Sequence, residues 1–311
     1  MRYVCLGRSG LRISALGLGC GGLGTRVTGA AAEHLVKSAL DLGVNLFDTA
    51  DVYGKGAGEE ALGRALGGDR DHAVVATKVR WAVGDGPNDR GASRIHIRAA
   101  VEASLRRLGT DRIDLYQVHA PDPGTPIDET ISALDGLVTS GKVLYIGLSN
   151  FAGWQLVDAH WQTVLAGRTR FVSTQAPYSL LARGAEHELL PAARHCGVGF
   201  LACLVLARGY LAGGFDDDTD PATLTARQRA YLTPVNRRRR DLIAGFAAAR
   251  GRTLAEVALA AAAGRPGVTG LLVGASSAEQ LTANAKVFEH GLTDEDVAEL
   301  LAELDRLEVS G

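Results

Sequence analysis

Short apolar runs alternate with helix-patterned segments eight times along this 311-residue chain, and few folds accommodate that rhythm. Apolar runs of this length, without a polar alternation, read as strands buried on both faces of a parallel sheet. Parallel strands need long crossovers, which the intervening helices supply. After an amino-terminal hairpin around Tyr3–Ser14, strands are expected at Ala15–Gly19, in the runs that end at Asp48, Lys78 and His119, and at Val143–Leu148, Arg170–Gln175, Val198–Ala202 and Gly270–Val273. Helices are expected near Ala31–Leu42, Glu59–Leu66, Ser93–Leu108, Ile127–Ser140, Trp154–Ala166, Ala185–His195, Arg237–Arg250 and Leu254–Ala263. Two more, Ala278–Val287 and Asp294–Leu307, follow the last strand. The pattern predicts an α/β fold: a single (β/α)8 TIM barrel over residues 1–311, with an amino-terminal β-hairpin and extra helices near the carboxyl terminus.

A doubly wound open sheet is the alternative. It would carry a glycine-rich turn after the first strand, and Gly17-Leu18-Gly19-Cys20-Gly21-Gly22 superficially supplies one. No acidic residue closes a second strand about twenty residues later, as dinucleotide binding in that fold requires. The glycines are better read as letting the backbone pass close to a cofactor or the barrel mouth.

Composition narrows the function. With 33 basic against 35 acidic residues, the chain has no electrostatic footprint for nucleic acid. Cys5, Cys20, Cys196 and Cys203 show neither C-x-x-C pairing nor metal spacing, so free thiols in a reducing compartment are expected. No charged start precedes an apolar core, and no uncharged run approaches the ~20 residues that span a bilayer. A soluble cytoplasmic protein, without membrane or nucleic-acid partners and of unknown oligomeric state, is expected.

Three of the apolar runs end in a chemically useful residue: Asp48, Lys78 and His119. Carboxyl ends of barrel strands are where (β/α)8 enzymes place their active sites. Tyr53 lies five residues beyond Asp48, in the loop leaving that strand. An acid, a phenol, an ammonium and an imidazole can therefore converge. Singly, each has a bland reading: turn cap, packing ring, solvated charge, loop histidine. The chain has only five lysines, which makes one at the end of a buried strand less casual.

Asn45-Leu46-Phe47-Asp48-Thr49-Ala50-Asp51-Val52-Tyr53-Gly54, Ala76-Thr77-Lys78 and Leu115-Tyr116-Gln117-Val118-His119 resemble the signature segments of the aldo-keto reductase family. The resemblance continues through Ile146-Gly147-Leu148-Ser149-Asn150-Phe151, Gln175-Ala176-Pro177-Tyr178-Ser179 and Val273-Gly274-Ala275-Ser276 to Asn284, in the family's order. It implies reduction of an aldehyde or ketone, with hydride from NADPH (NADH possible) and a proton from Tyr53. In that scheme Lys78 lowers the phenol's pKa, Asp48 keeps Lys78 charged, and His119 orients a small-molecule carbonyl substrate.

The resemblance also implies a cofactor site. Ser149, Asn150 and Gln175 would hold the nicotinamide carboxamide. Cys203, Leu204, Leu206, Arg208, Gly209 and Leu211, at the end of the seventh strand and in the loop that lies over the pyrophosphate, would also bind the cofactor. Gly274, Ser276, Gln280 and Asn284 would meet the adenosine end. Two departures stand out. Cys203 occupies the place of an aromatic ring that stacks on the nicotinamide, and Tyr210 is the nearest ring that could replace it. Around Gly274–Ser276 and Gln280 there is no Lys or Arg to hold a 2′-phosphate. Residues 207–236 form the one long loop, with an acidic run Asp216-Asp217-Asp218 that is either solvated or functional. Arg237–Arg240 read as a solvated helical face. Leu23, Arg80, Trp81 and the carboxyl-terminal tail are expected at the substrate pocket. Two other functions fit the resemblance: a reductase of a nucleotide-linked keto-deoxysugar or another secondary-metabolite intermediate, and a cofactor-binding regulatory subunit.

Overall fold

In a computed structural model, which describes residues 1–289 and 291–309, β1 (Tyr3–Cys5) and β2 (Arg12–Ser14) form an antiparallel hairpin. Among the described residues, eight strands then close a parallel barrel. They are β3 (Leu16–Gly19), β4 (Leu46–Asp48), β5 (Val74–Val79), β6 (Ile113–Val118), β7 (Val143–Ser149), β8 (Phe171–Pro177), β9 (Gly199–Cys203) and β10 (Val268–Val273). Strand β10 pairs with both β9 and β3, which completes the ring. The crossover helices are α1 (Gly29–Asp41), α2 (Ala57–Leu66), α3 (Arg94–Leu108), α4 (Ile127–Thr139), α5 (Gly153–Leu165) and α6 (Leu189–Cys196). After β9 come α7 (Ala226–Arg229), α8 (Pro234–Ala249) and α9 (Leu254–Gly264), and after β10 come α10 (Ala278–Lys286) and α11 (Asp294–Val309). This is the (β/α)8 barrel with amino-terminal hairpin that the alternation predicts; the open sheet is excluded. No described helix is long and apolar enough to cross a membrane.

The period of two along each strand sorts the apolar side chains into two layers. Leu46, Ala76, Leu115, Leu201 and Leu272 fill the barrel interior, and Leu6 and Ile13 from the hairpin pack against them. The hairpin therefore plugs the end opposite the carboxyl ends of the strands. Gly7 makes that possible: its φ is 59°, and a Cβ there would lie 2.5 Å from the Val172 carbonyl oxygen. The outer layer, with Phe47, Val75, Tyr116 and Leu148 on the strands and Leu62, Val101 and Leu134 on the helices, joins the barrel to its coat. With one end plugged, polar side chains inside the barrel collect at the other.

Two expectations needed correction. The helix expected at Ala185–His195 is broken into a 3-10 turn, Gly184–Glu186, and α6. Glu186 accepts hydrogen bonds from Tyr178 Oη at 2.7 Å and Arg183 Nε at 3.0 Å, which holds the turn against the exit of β8. The long loop is largely ordered into 3-10 turns at Ala207–Ala212 and Pro221–Thr223, then α7, and α8 starts already at Pro234. Its acidic run is partly structural, because Asp217 accepts from the buried Tyr210 hydroxyl at 2.7 Å. Nor is Arg237–Arg240 a purely solvated face. Arg240 lies 5.2 Å from the Tyr210 ring centroid and donates to the Tyr210 carbonyl, while Arg239 donates to the Leu181 carbonyl.

Candidate active site

Asp48 and Lys78 are inward-facing at the ends of neighbouring strands, and both are buried. Lys78 Nζ donates to Asp48 Oδ2 at 2.6 Å and to the Thr49 carbonyl at 2.8 Å. The other Asp48 oxygen accepts from Gln175 Nε2 at 2.9 Å and Gln117 Nε2 at 3.3 Å. The carboxylate is thus held by three side chains from three strands. Burial pulls the Lys78 ammonium down, but Asp48 and Tyr53 outweigh it and its pKa is raised. Lys78 stays charged.

Tyr53 begins a tight 3-10 turn after β4 in which Lys55 has a φ of 56°. Lys78 Nζ is 5.1 Å from its ring centroid. The Lys78 ammonium is the strongest influence on the phenol and pulls its pKa down. Burial, the Asp48 carboxylate and Cys203 oppose it, and the net result lies above the ordinary value. The expected net lowering is therefore corrected. Lys78 remains the strongest single influence, but burial, Asp48 and Cys203 together exceed it.

The His119 ring meets Tyr53 edge-on, with centroids 5.8 Å apart, and Trp81 on another side at 6.2 Å. Burial foremost, then Lys78 and Arg80, pushes the imidazole pKa down to about 3. His119 is neutral across the physiological range, and its buried Nδ1 has no hydrogen-bond partner among the described residues. A neutral imidazole can both donate and accept, which suits it to orient a carbonyl oxygen. Trp81 is 42% exposed, so it is a mouth residue and not a core ring. Leu23, by contrast, is buried in the outer layer with Cys20 and Val27.

The residues expected around a cofactor line the opposite arc of the mouth. Asn150 (φ 58°) donates to the His119 carbonyl at 2.9 Å and to Ser149 Oγ at 3.0 Å. Gln175 commits its amide N–H to Asp48. Leu204, Arg208 and Gly209 follow β9 with positive φ, and Ala207 shares that geometry. The side chains of Leu206 and Leu211 are buried in the core. Burial pushes the Cys203 thiol up to about 12, so it is no nucleophile. Tyr210 does not replace the missing ring. It is fully buried, packed between Phe215 and Tyr231, and presents no face to a ligand. At the far end Ser276 donates to Gln280 Oε1 from both N and Oγ, beside Gly274. Asn284 is buried, and its Nδ2 has no partner among the described residues. That orphaned donor, and the strained run after β9 at roughly 1–3 kcal/mol per non-glycine residue, are what a dinucleotide site would leave in its absence.

Two features escaped sequence reasoning. Gln117 lies inside a strand, and its only signal is being polar two residues before His119. The second is a buried acidic network behind Tyr53. Glu59 accepts from Thr77 Oγ1 at 2.6 Å and Arg107 Nε at 2.7 Å. Asp51 is buried, and neither carboxylate oxygen has a hydrogen-bond partner among the described residues. Burial, then Glu59, raises its pKa to about 7. The folded state therefore keeps this proton where an unfolded Asp has lost it, and stability falls as pH rises through about 7. Asp51→Asn removes that fall. Its stability advantage over the parent is expected to grow by about 2–3 kcal/mol between pH 5 and pH 8, read from urea unfolding. An advantage that does not change with pH would contradict this.

The comparisons with known proteins agree with the geometry. The sequence model of the Aldo/keto reductase family matches residues 15–304. The chain belongs to this family. It is 42% identical to an uncharacterized oxidoreductase, YrpG, of Bacillus subtilis, over 98% of this chain and 96% of that protein. It is also 35% identical to a probable voltage-gated potassium channel subunit beta of Oryza sativa (93% of this chain, 92% of that one). A putative voltage-gated potassium channel subunit beta of Schizosaccharomyces pombe is 35% identical as well, over 97% and 92%. Membership makes the chain an aldo/keto reductase family oxidoreductase, and its cofactor class is nicotinamide.

Proposed function

We propose that the protein is a cytoplasmic, NADPH-dependent reductase of small aldehydes or ketones. The observation that carries the reading is the Asp48–Lys78 pair buried directly behind Tyr53, with neutral His119 across the mouth. A bound nicotinamide supplies hydride to the carbonyl carbon. Tyr53 donates its phenolic proton to the carbonyl oxygen as negative charge develops there. Lys78 stabilises the resulting phenolate, and Asp48 keeps Lys78 charged and in place. His119 hydrogen-bonds the carbonyl oxygen and holds it beside Tyr53. Ser149, Asn150 and Gln175 would hold the carboxamide, the run Leu204–Leu211 the pyrophosphate, and Gly274, Ser276, Gln280 and Asn284 the adenosine.

The test is titration with NADPH and NADH, followed by carbonyl-dependent oxidation of the bound form. NADPH binding with turnover is expected. Preference for NADH would overturn the cofactor assignment, and binding without turnover of any carbonyl would favour the second reading. That reading is a cofactor-binding subunit of a potassium channel, supported by the names of two relatives. It requires a stable complex, so a protein that runs alone in sizing and pull-down experiments counts against it.

A further inference from the structure

Arg80 is the first residue after β5, and its guanidinium is placed unlike the other inward-facing cations. Lys78 is answered by Asp48, Arg107 by Glu59 and Arg70 by Asp114. Arg80 is in no ion pair among the described residues. Its Cζ lies 4.1 Å from the Trp81 ring centroid, and Trp81 in turn meets the His119 ring. Its Nε is buried without a hydrogen-bond partner among the described residues. Asp122, whose charge Arg80 favours without an ion pair, already accepts from Ala92 N at 2.7 Å, Gly124 N at 3.1 Å and Thr125 Oγ1 at 2.7 Å. The backbone is held for this placement too. Arg80 has a φ of 142°, in a region disfavoured for a side-chain-bearing residue, while its carbonyl accepts from Gly91 N at 2.8 Å.

Stacking on Trp81 covers one face of the guanidinium, and Nε is buried, so the donors left to a ligand are the two terminal Nη groups. Together they form a planar fork of N–H donors that fits the two oxygens of a carboxylate. The position is on the substrate side. In the barrel order β10-β3-β4-β5, Arg80 stands three strands from β10, next to the residues of the adenosine end. A cofactor phosphate there is not within its reach. We propose that Arg80 anchors the substrate through a carboxylate, so that the site takes oxo-acids whose carbonyl sits beside Tyr53 and His119 while the acid group pairs with Arg80. The proposal rests on the reductase reading for the reaction itself, but not for the anion site.

The experiment uses two aldehydes of one shape, 4-carboxybenzaldehyde and its neutral methyl ester, methyl 4-formylbenzoate. The full chain with NADPH is expected to prefer the acid in kcat/KM by roughly tenfold to hundredfold, the range of a charge-assisted hydrogen bond. In Arg80→Met that ratio falls to about one, through KM of the acid. Arg80→Lys, which keeps the charge and loses the fork, restores only part of it. Equal use of the two aldehydes by the parent, or a ratio unchanged in Arg80→Met, overturns the proposal. Binding of 4-(hydroxymethyl)benzoate in the presence of NADP, measured by calorimetry, separates this from the reductase reading. If neither aldehyde is turned over, binding alone decides the anion site, and the reductase reading is judged separately on its own carbonyl screen. The proposal then stands if this acid binds the parent and not Arg80→Met, and falls if it binds both or neither.

Discussion

Tyr53→Phe is expected to lower kcat for carbonyl reduction by a factor of about 10²–10⁴, the range of a lost general acid, while NADPH affinity changes by less than about twofold. The substitution removes one oxygen and keeps the ring that meets His119 edge-on. The cofactor contacts proposed here come from the ends of β7 to β10, on other strands than the Tyr53 turn, so binding and chemistry separate in this variant. The pH profile follows from the same environment. Reduction needs the protonated phenol, and its pKa is raised, so the reactive form persists through neutral and mildly alkaline pH. Turnover by the parent should decline only above the ordinary tyrosine range near 10. His119 should add no inflection near 6.5, because burial, Lys78 and Arg80 hold it down at about 3. A steady-state profile of kcat/KM from pH 5 to 10 checks both points. An inflection between pH 6 and 7 that persists in Asp51→Asn would mean that His119 titrates there, and full activity in Tyr53→Phe would remove the phenol from the chemistry.

What the sequence revealed, and what it hid, divides along a physical line. Asp48, Lys78 and His119 were legible because each interrupts an apolar run at its end, where a parallel strand leaves the core. The barrel was legible for the same reason: buried strands and crossover helices differ in period. Gln117 was not, because one amide inside an apolar strand looks like tolerated polarity until Asp48 is seen to need a third donor. The network of Asp51, Glu59 and Arg107 was hidden more deeply. Glu59 heads a helix, where an acid normally faces solvent and favours the helix dipole. Only tertiary packing turns it inward to meet Arg107 and Thr77. Residues 207–236 misled for a related reason. Their polar residues pair with one another, as Tyr210 does with Asp217 and Arg240, and pairing leaves no periodic trace.

Asp48→Asn is expected to cost about 3–5 kcal/mol of stability, although it changes neither size nor shape, because it leaves the Lys78 ammonium buried without its counter-charge. The double variant Asp48→Asn, Lys78→Met should recover most of that loss, since no buried charge then remains to be desolvated. Its coupling energy, from urea unfolding of the four proteins, should fall at about 1–3 kcal/mol. Activity should behave oppositely: the double variant should fold like the parent and still reduce nothing, because the ammonium that stabilises the Tyr53 phenolate is gone. The pH sign distinguishes this pair from Asp51. Lys78 is raised in the fold, so its contribution is fully present below the unfolded lysine value near 10.4 and is lost only as pH rises through the folded one. The parent's Lys78 therefore adds no pH dependence between pH 6 and pH 8, whereas the benefit of Asp51→Asn grows over that interval. If Asp48→Asn were as stable as the parent, the Lys78 ammonium would have found water or another partner, and the buried ion pair could no longer be what holds the site in shape.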